Sequence, residues 1–465
     1  MLRHFFSHVF IFELWVRALL FLGLIGFSLS CLESFVSLYS WHDQQRIAQI
    51  VLLCIGGFLS LFTRRQVLSS KVFGLVFVVF ALGTISSVMA EYPEWAFKEW
   101  ARYLGMFLLA GLIGVVARDA RVKQYILVIV IVVGGLSAFQ FYNYYVMALF
   151  TGILRVDPFF LLYGFDNPRF LGQFQIVLLP VLAVSVASLF ALGRNAAGFG
   201  CLIVLVAQWC LVWALAGRGV WLGLFLSHVG LFCISRKFNR LIALQFFSAI
   251  CGLLIFILLF LVFPYLYGID AGLHDGVRFD LSGRETLWWG ALSMAWSNPI
   301  LGVGPMHFSA VWNHIGAHPH QWLLLLLAEW GGVSTILILS LVVLGLLRGV
   351  SVLRAQDSEF IDAGLWLALS GAFVLAQVDG VLVMPYAETW LVVVVGLAMS
   401  RWTGVVVVTK LRRMVIVFFA ISVLFVLGRV LIFEAPNLMR LEEDFFQKHS
   451  IGSPPRFWAQ GWIPM

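Results

Sequence analysis

The chain has 465 residues, of which 62% are hydrophobic and 11% charged, and a formal net charge of +7. Its mean hydropathy is +0.98, which excludes a soluble globular protein of this length. Apolar runs of about 20 residues recur from end to end, so the composition is that of an all-α, polytopic membrane protein.

In chain order these runs cover residues 12–29, 47–62, 72–90, 100–117, 125–150, 171–192, 199–216, 220–234, 241–266, 320–347, 360–383, 386–400 and 414–433. They predict about 12 or 13 transmembrane helices, the count turning on whether 386–400 crosses fully. The first run has no small-residue cleavage site leading into a soluble domain and reads as a retained helix. The expected organisation is one integral membrane domain over 1–465, with a long loop at 267–317 and a short tail at 434–465.

Loops of one parity carry the lysines and arginines. They are Arg64, Arg65 and Lys71; Arg118, Arg121 and Lys123; Arg236, Lys237 and Arg240; Arg348 and Arg354; and Arg401, Lys410, Arg412 and Arg413. Short basic loops stay cytoplasmic, which puts the N-terminus inside and the loops at 32–46, 91–99, 151–170, 217–219 and 267–317 outside. The net positive charge is then a topology signal and points to no nucleic-acid partner.

The outward loops hold Arg155, Arg169, Arg218, Arg278 and Arg284, and no lysine stands among these five. A guanidinium grips phosphate oxygens in pairs and keeps its charge, which suits a lipid diphosphate at the membrane surface. The alternative for each is a side chain snorkelling to lipid headgroups. Arg218 lies between Gly217 and Gly219 with almost no loop around it, where a charge needs a partner and the glycines permit a tight turn or a broken helix.

The long loop has an internal order. Ser282 and Glu285 form a capping-box pattern that starts a helix near Gly283. Leu287, Trp288, Ala291, Leu292, Ala295 and Trp296 follow at helical spacing, as in an amphipathic helix lying on a membrane with its aromatics down. Arg284 falls in its first turn, where helix N–H groups favour an anion. Asn298-Pro299 ends the helix and Gly302-Val303-Gly304-Pro305 turns the chain.

Pro319 fits the first position of the next helix, which places His320 in its first turn. The helix dipole there favours a neutral imidazole, able to accept a proton as a general base. His318 precedes the helix and is less firmly held. His307 and His314 read as ordinary interfacial histidines. Glu329 lies nine residues after His320, out of phase on a helix, and reads as a structural acid bound to a neighbouring helix. The cysteines show neither metal-ligand spacing nor a disulfide framework, and no nucleotide-binding motif is present.

Taken in order, Arg218 within Gly217-Arg218-Gly219-Val220-Trp221, Arg284 with Trp288, Pro299 with Gly302 and Gly304, His320, and Glu329 with Gly331 resemble the O-antigen ligase superfamily. That group includes lipid A-core O-antigen ligases, O-antigen polymerases and bacterial protein O-oligosaccharyltransferases. Asp166-Asn167-Pro168-Arg169-Phe170 also resembles a loop of many members. The family commonly has asparagine after the histidine, and Gln321 stands there instead.

The resemblance implies a GT-C-type glycosyltransferase of the bacterial inner membrane, with its site on the periplasmic face. The donor would be a glycan on undecaprenyl diphosphate, and the acceptor a lipid A-core sugar, a growing glycan or a pilin. His320, Arg218 and Arg284 would be catalytic. Arg169, Arg155, Arg278, His318 and Gln321 would contact substrate. No metal or other cofactor is implied. O-antigen ligation is the expected reaction, with polymerisation or pilin glycosylation as alternatives in the same group. A transporter or lipid flippase is the alternative from another class, although no internal repeat of the kind such proteins carry is evident. The tail, with Pro454-Pro455-Arg456-Phe457-Trp458, is expected to anchor at the interface.

Overall fold

The computed structural model describes residues 2–37, 39–151, 156–270, 283–449 and 455–463, apart from the side chains of 2–14 and 449. The described chain is almost wholly helical. The helices are α1 Leu2–Leu29, α2 Trp41–Ser60, α3 Ser70–Met89, α4 Pro93–Val116, α5 Ala120–Phe150, α6 Pro168–Ala191, α7 Asn195–Ala214, α8 Arg218–Ile234 and α9 Asn239–Ile257. A π turn, Leu258–Val262, carries α9 into α10, Phe263–Tyr267. There follow α11 Arg284–Ser297, α12 Trp322–Leu353, α13 Phe360–Leu375, α14 Pro385–Trp402, α15 Lys410–Arg429 and α16 Leu438–His449.

Every expected span overlaps a helical run. Eight of the described runs are long and apolar enough to cross a membrane, and 15–29, α8 and α13 are shorter apolar helices. The protein is therefore an all-α polytopic membrane protein. The two expected spans outside these sets fall on α2 and α14. They bury Arg46 and Glu388.

Helix starts follow local capping. Ser40 accepts the Asp43 N–H at 3.1 Å and Ser69 the Val72 N–H at 3.3 Å. Asn167 accepts the Arg169 N–H at 3.0 Å ahead of Pro168. Each oxygen satisfies a donor that the helix leaves unpaired. The core centres on α6, buried from Leu171 to Val186 and packed by α7, α13 and α14, and on α4, packed by α2, α14 and α15.

The basic loops of like parity meet at one end of the bundle. Arg65–Gln66 pairs antiparallel with Val406–Val407. Arg118 donates to the Thr403 carbonyl, Arg348 to the Trp402 carbonyl at 2.8 Å, and Lys237 to the Ser358 carbonyl at 2.5 Å.

α12 is broken at Gly331, where φ is 74° and ψ 171°. The 299–304 segment fills the break. Val303 N–H donates to Ala328 O at 2.8 Å, Gly304 N–H to Glu329 O at 3.1 Å and Gly332 N–H to Pro299 O at 2.7 Å. The backbones approach so closely that a Cβ on Gly331 would lie 2.2 Å from Ile300 O, and one on Gly302 2.4 Å from the Glu329 carbonyl carbon. Both glycines also have positive φ, which a side chain resists. Gly331→Ala is expected to cost at least about 1–3 kcal/mol, the scale of a strained backbone site. Gly345→Ala, in an open helical position, should be neutral or stabilising. Thermal unfolding of both purified variants in detergent checks this, and equal midpoints would contradict it.

At the opposite end from the basic loops lies a fully buried ion network. Arg46 donates to Glu388 at 2.5 Å, and Arg102 donates to the other oxygen of Glu388 and forks onto Glu99 at 2.7 Å twice. Arg456 donates to Glu329 at 2.7 Å and Glu99 at 3.2 Å. Three arginines thus meet three glutamates, as buried charge requires. The tail is therefore not the interfacial anchor expected. Arg456 is 1% exposed, and the chain around it folds back into the protein. Glu329 is a structural acid as expected, binding the tail and accepting the Phe308 N–H at 3.1 Å.

α11 departs from the expected amphipathic helix in two ways. Its N-cap is Gly283, with φ 75° and no side-chain cap, and Ser282 lies outside the described residues. Leu287 and Ala291 bury against Phe308, Leu325 and Ala328, while Trp289 and Trp296 point away at 72% and 89% exposure. The aromatics therefore do not share the buried stripe.

Candidate functional site

The loop ahead of α12 holds the histidines, and it is pinned from several sides. The Trp288 indole on α11 donates to Pro319 O at 3.0 Å. Ser309 Oγ donates to Ala317 O at 2.9 Å, and the tail residue Ile463 donates to Ser309 O at 2.9 Å. Ala317, Phe445 and Trp462 pack together with Trp312, joining loop, α16 and tail.

His320 is not in the first turn of α12. The helix begins at Trp322, and Gln321 is its N-cap, with Oε1 accepting the Leu324 N–H at 2.5 Å. Gln321 Nε2 donates to Gln377 at 3.2 Å. The longer amide of Gln321 thus reaches both the helix start and the end of α13. His320 has φ 52°, a left-handed conformation that a non-glycine residue adopts at a cost. The proline expected at the helix start instead sits three residues too early, and the dipole argument for a neutral His320 loses its geometry.

His318 is more firmly held than expected. It is 3% exposed, its Nδ1 accepts the His320 N–H at 3.2 Å, and the two rings lie 4.0 Å apart. A Cβ on Gly380 would lie 2.5 Å from its ring. Burial, then the positive charge of neighbouring groups, holds its pKa well below the ordinary histidine range. His318 is therefore a neutral support for the His320 backbone.

Asp379 is the residue that sequence reasoning missed. α13 stops at Leu375, and residues 376–384 form a loop where the apolar run predicts a span to 383. Asp379 Oδ1 lies 3.7 Å from His320 Nδ1, longer than a hydrogen bond but within ion-pair range. The same oxygen accepts the Gly380 N–H at 2.8 Å. Despite burial, the contact with His320, the Gly380 N–H and the charge of Arg169 hold the Asp379 carboxyl below its ordinary range. The Asp379-Gly380 turn ahead of Pro385 was the available signal.

Arg284 donates to Val378 O at 2.8 Å, beside Asp379. Burial, Asp379, Arg169 and Arg218 act on its guanidinium, in that order, with Asp379 alone supporting the charged form. Arg169 and Arg218 thus lie close enough to Arg284 for their charges to act on it. Arg155 and Arg278 lie outside the described residues. A cleft of about 510 Å³ opens beside the pair and is lined by Arg169, His318, His320 and Asp379. Arg218 and Arg284 do not line it.

Clustered arginines favour an anion. An imidazole with a carboxylate near one nitrogen can accept a proton on the other. No curated protein matches the chain. Residues 202–339 match the family model described as O-antigen ligase, a segment that contains Arg218, Arg284 and His320. Over that segment the chain is similar to the O-antigen ligase family.

Proposed function

We propose that the protein is an O-antigen ligase of the bacterial inner membrane, moving a glycan from undecaprenyl diphosphate to a hydroxyl of lipid A-core on the periplasmic face. The observation that carries this reading is the His320–Asp379 pair in a cleft lined by Arg169, with Arg284 bonded to the Val378 carbonyl beside Asp379. Asp379 favours a proton on His320 Nδ1 and leaves Nε2 to accept the proton of the acceptor hydroxyl. The hydroxyl oxygen then attacks the anomeric carbon. The bond from that carbon to the diphosphate oxygen breaks, and the arginines stabilise the charge that develops on the diphosphate.

A deletion strain tests the assignment. Loss of O-antigen capping with lipid-linked polymer retained is the expected outcome. Single-repeat capping would point to a polymerase, and a change in pilin mass alone to protein glycosylation.

Orientation is tested in a cysteine-free background. Arg65→Cys and Arg240→Cys should resist an impermeant thiol reagent in intact cells, and His314→Cys should react. Strong labelling at Arg65→Cys would put the site on the wrong face. Arg218→Lys keeps the charge but loses the paired donors. It should lose about 3 kcal/mol of transition-state stabilisation, the scale of one preorganised donor. Single-turnover transfer with purified protein measures this, and a normal rate would remove Arg218 from the site.

A further inference from the structure

At the basic end of the bundle, two loops far apart in sequence are tied side by side. Arg65–Gln66 pairs with Val406–Val407, the Val408 N–H donates to Arg64 O at 3.2 Å, and Arg412 donates to Leu68 O at 3.4 Å. The helices that follow these loops, α3 and α15, also touch. The Arg412 guanidinium lies 4.7 Å from the centre of the Phe73 ring, and Phe77 stacks on Phe419 with ring centroids 6.2 Å apart. The pairing gathers Arg64, Arg65, Lys71, Lys410 and Arg413 at one place on the surface. Four of them are exposed and Arg413 is half-buried.

No side-chain hydrogen bond or ion pair engages any of the five among the described residues. The neighbouring chain supplies no acid either, since neither Asp nor Glu occurs between Asp43 and Glu91 or between Glu388 and Glu434. Of the other acids at this end, Asp119 pairs with Arg17, and Glu359 and Asp362 pair with Arg401. Asp357 lies on the separate loop between α12 and α13. Cations gathered without an acid draw an anion.

The surface that adjoins these cations is apolar. Leu411, Met414 and Phe418 follow Lys410 at helical spacing on α15 and are 72%, 62% and 63% exposed. Phe77 on α3 is exposed as well. A soluble anion satisfies only the cations, whereas an amphiphile with an anionic head satisfies both surfaces.

We propose that this surface binds an anionic phospholipid, with the phosphate among the five cations and the acyl chains along the Leu411–Met414–Phe418 stripe. The site lies at the end of the bundle away from His320 and does not depend on the glycosyl-transfer reading.

Native mass spectrometry of the delipidated full-length protein tests the site, with phosphatidylglycerol and phosphatidylethanolamine of identical acyl chains as probes. Phosphatidylglycerol should be retained in preference, and the preference should fade as salt rises, because exposed charges are screened. Arg64→Gln, Arg65→Gln and Lys71→Gln should each weaken phosphatidylglycerol binding about fivefold, the worth of one cation at a membrane surface. All three residues are exposed, so these variants should fold normally. Arg236→Gln and Arg240→Gln, on another basic loop, should bind as the native protein does. Equal retention of the two lipids, or equal losses in Arg65→Gln and Arg236→Gln, would overturn the proposal. So would displacement of the lipid by an equal concentration of glycerol 3-phosphate, which would make this a site for soluble anions.

Discussion

His320→Ala is expected to lose glycan transfer by about 10²–10⁴-fold, the range for a positioned acid–base group. The residue sits in a left-handed conformation, and its backbone N–H is fixed by the neutral ring of His318. Such strain persists only where the surroundings impose it, and it gathers at functional sites. Donor binding should survive, because the arginines remain. Asp379→Asn keeps the shape and removes the charge near Nδ1, so it should lower the rate without weakening donor binding. His318→Ala should also be costly, since it frees the backbone that aims His320. Transfer and donor binding, measured separately on purified protein, distinguish these roles. If His320→Ala abolishes donor binding, His320 is a diphosphate ligand. If it is fully active, the catalytic assignment fails.

Removing Glu388 should destabilise the protein by about 3–5 kcal/mol, the cost of leaving a buried charge unpaired. Glu388 is fully buried and holds Arg46 on one oxygen and Arg102 on the other. Through Arg46 it also steadies the loop of Asp379, because Arg46 donates to Val383 O at 2.6 Å. Glu388→Ala would leave two arginines facing each other without their shared acid. Glu33→Ala, at an exposed position, should change stability by less than about 0.5 kcal/mol. Thermal unfolding in detergent compares the two, and equal midpoints would mean that the network holds nothing in place.

The helices were legible because long apolar runs fix them, and the breaks were legible only where polar residues or proline marked them. Arg218, Arg284 and His320 stood out as charge beside glycine and proline turns. Asp379 did not, because one acid inside an apolar run reads as part of a span until the turn at Gly380 is seen. Arg456 was misread for another reason. Its partners Glu99 and Glu329 lie 357 and 127 residues away, and no local pattern encodes such a pairing. Gly302 and Gly331 were noticed separately. That each is required by the other's backbone follows only from their contact in three dimensions. The position of His320 failed at the level of one turn, because Gln321 caps the helix that Pro319 was expected to begin.

The most direct measurement of the central claim is product analysis in a reconstituted reaction. Purified protein is given an undecaprenyl-diphosphate-linked glycan and lipid A-core, and released undecaprenyl diphosphate and glycosylated acceptor are quantified together. The account predicts one undecaprenyl diphosphate for each glycan transferred, with both lost in His320→Ala and Arg284→Ala. Movement of intact lipid-linked glycan across the bilayer with no release of undecaprenyl diphosphate would contradict it and make the protein a transporter.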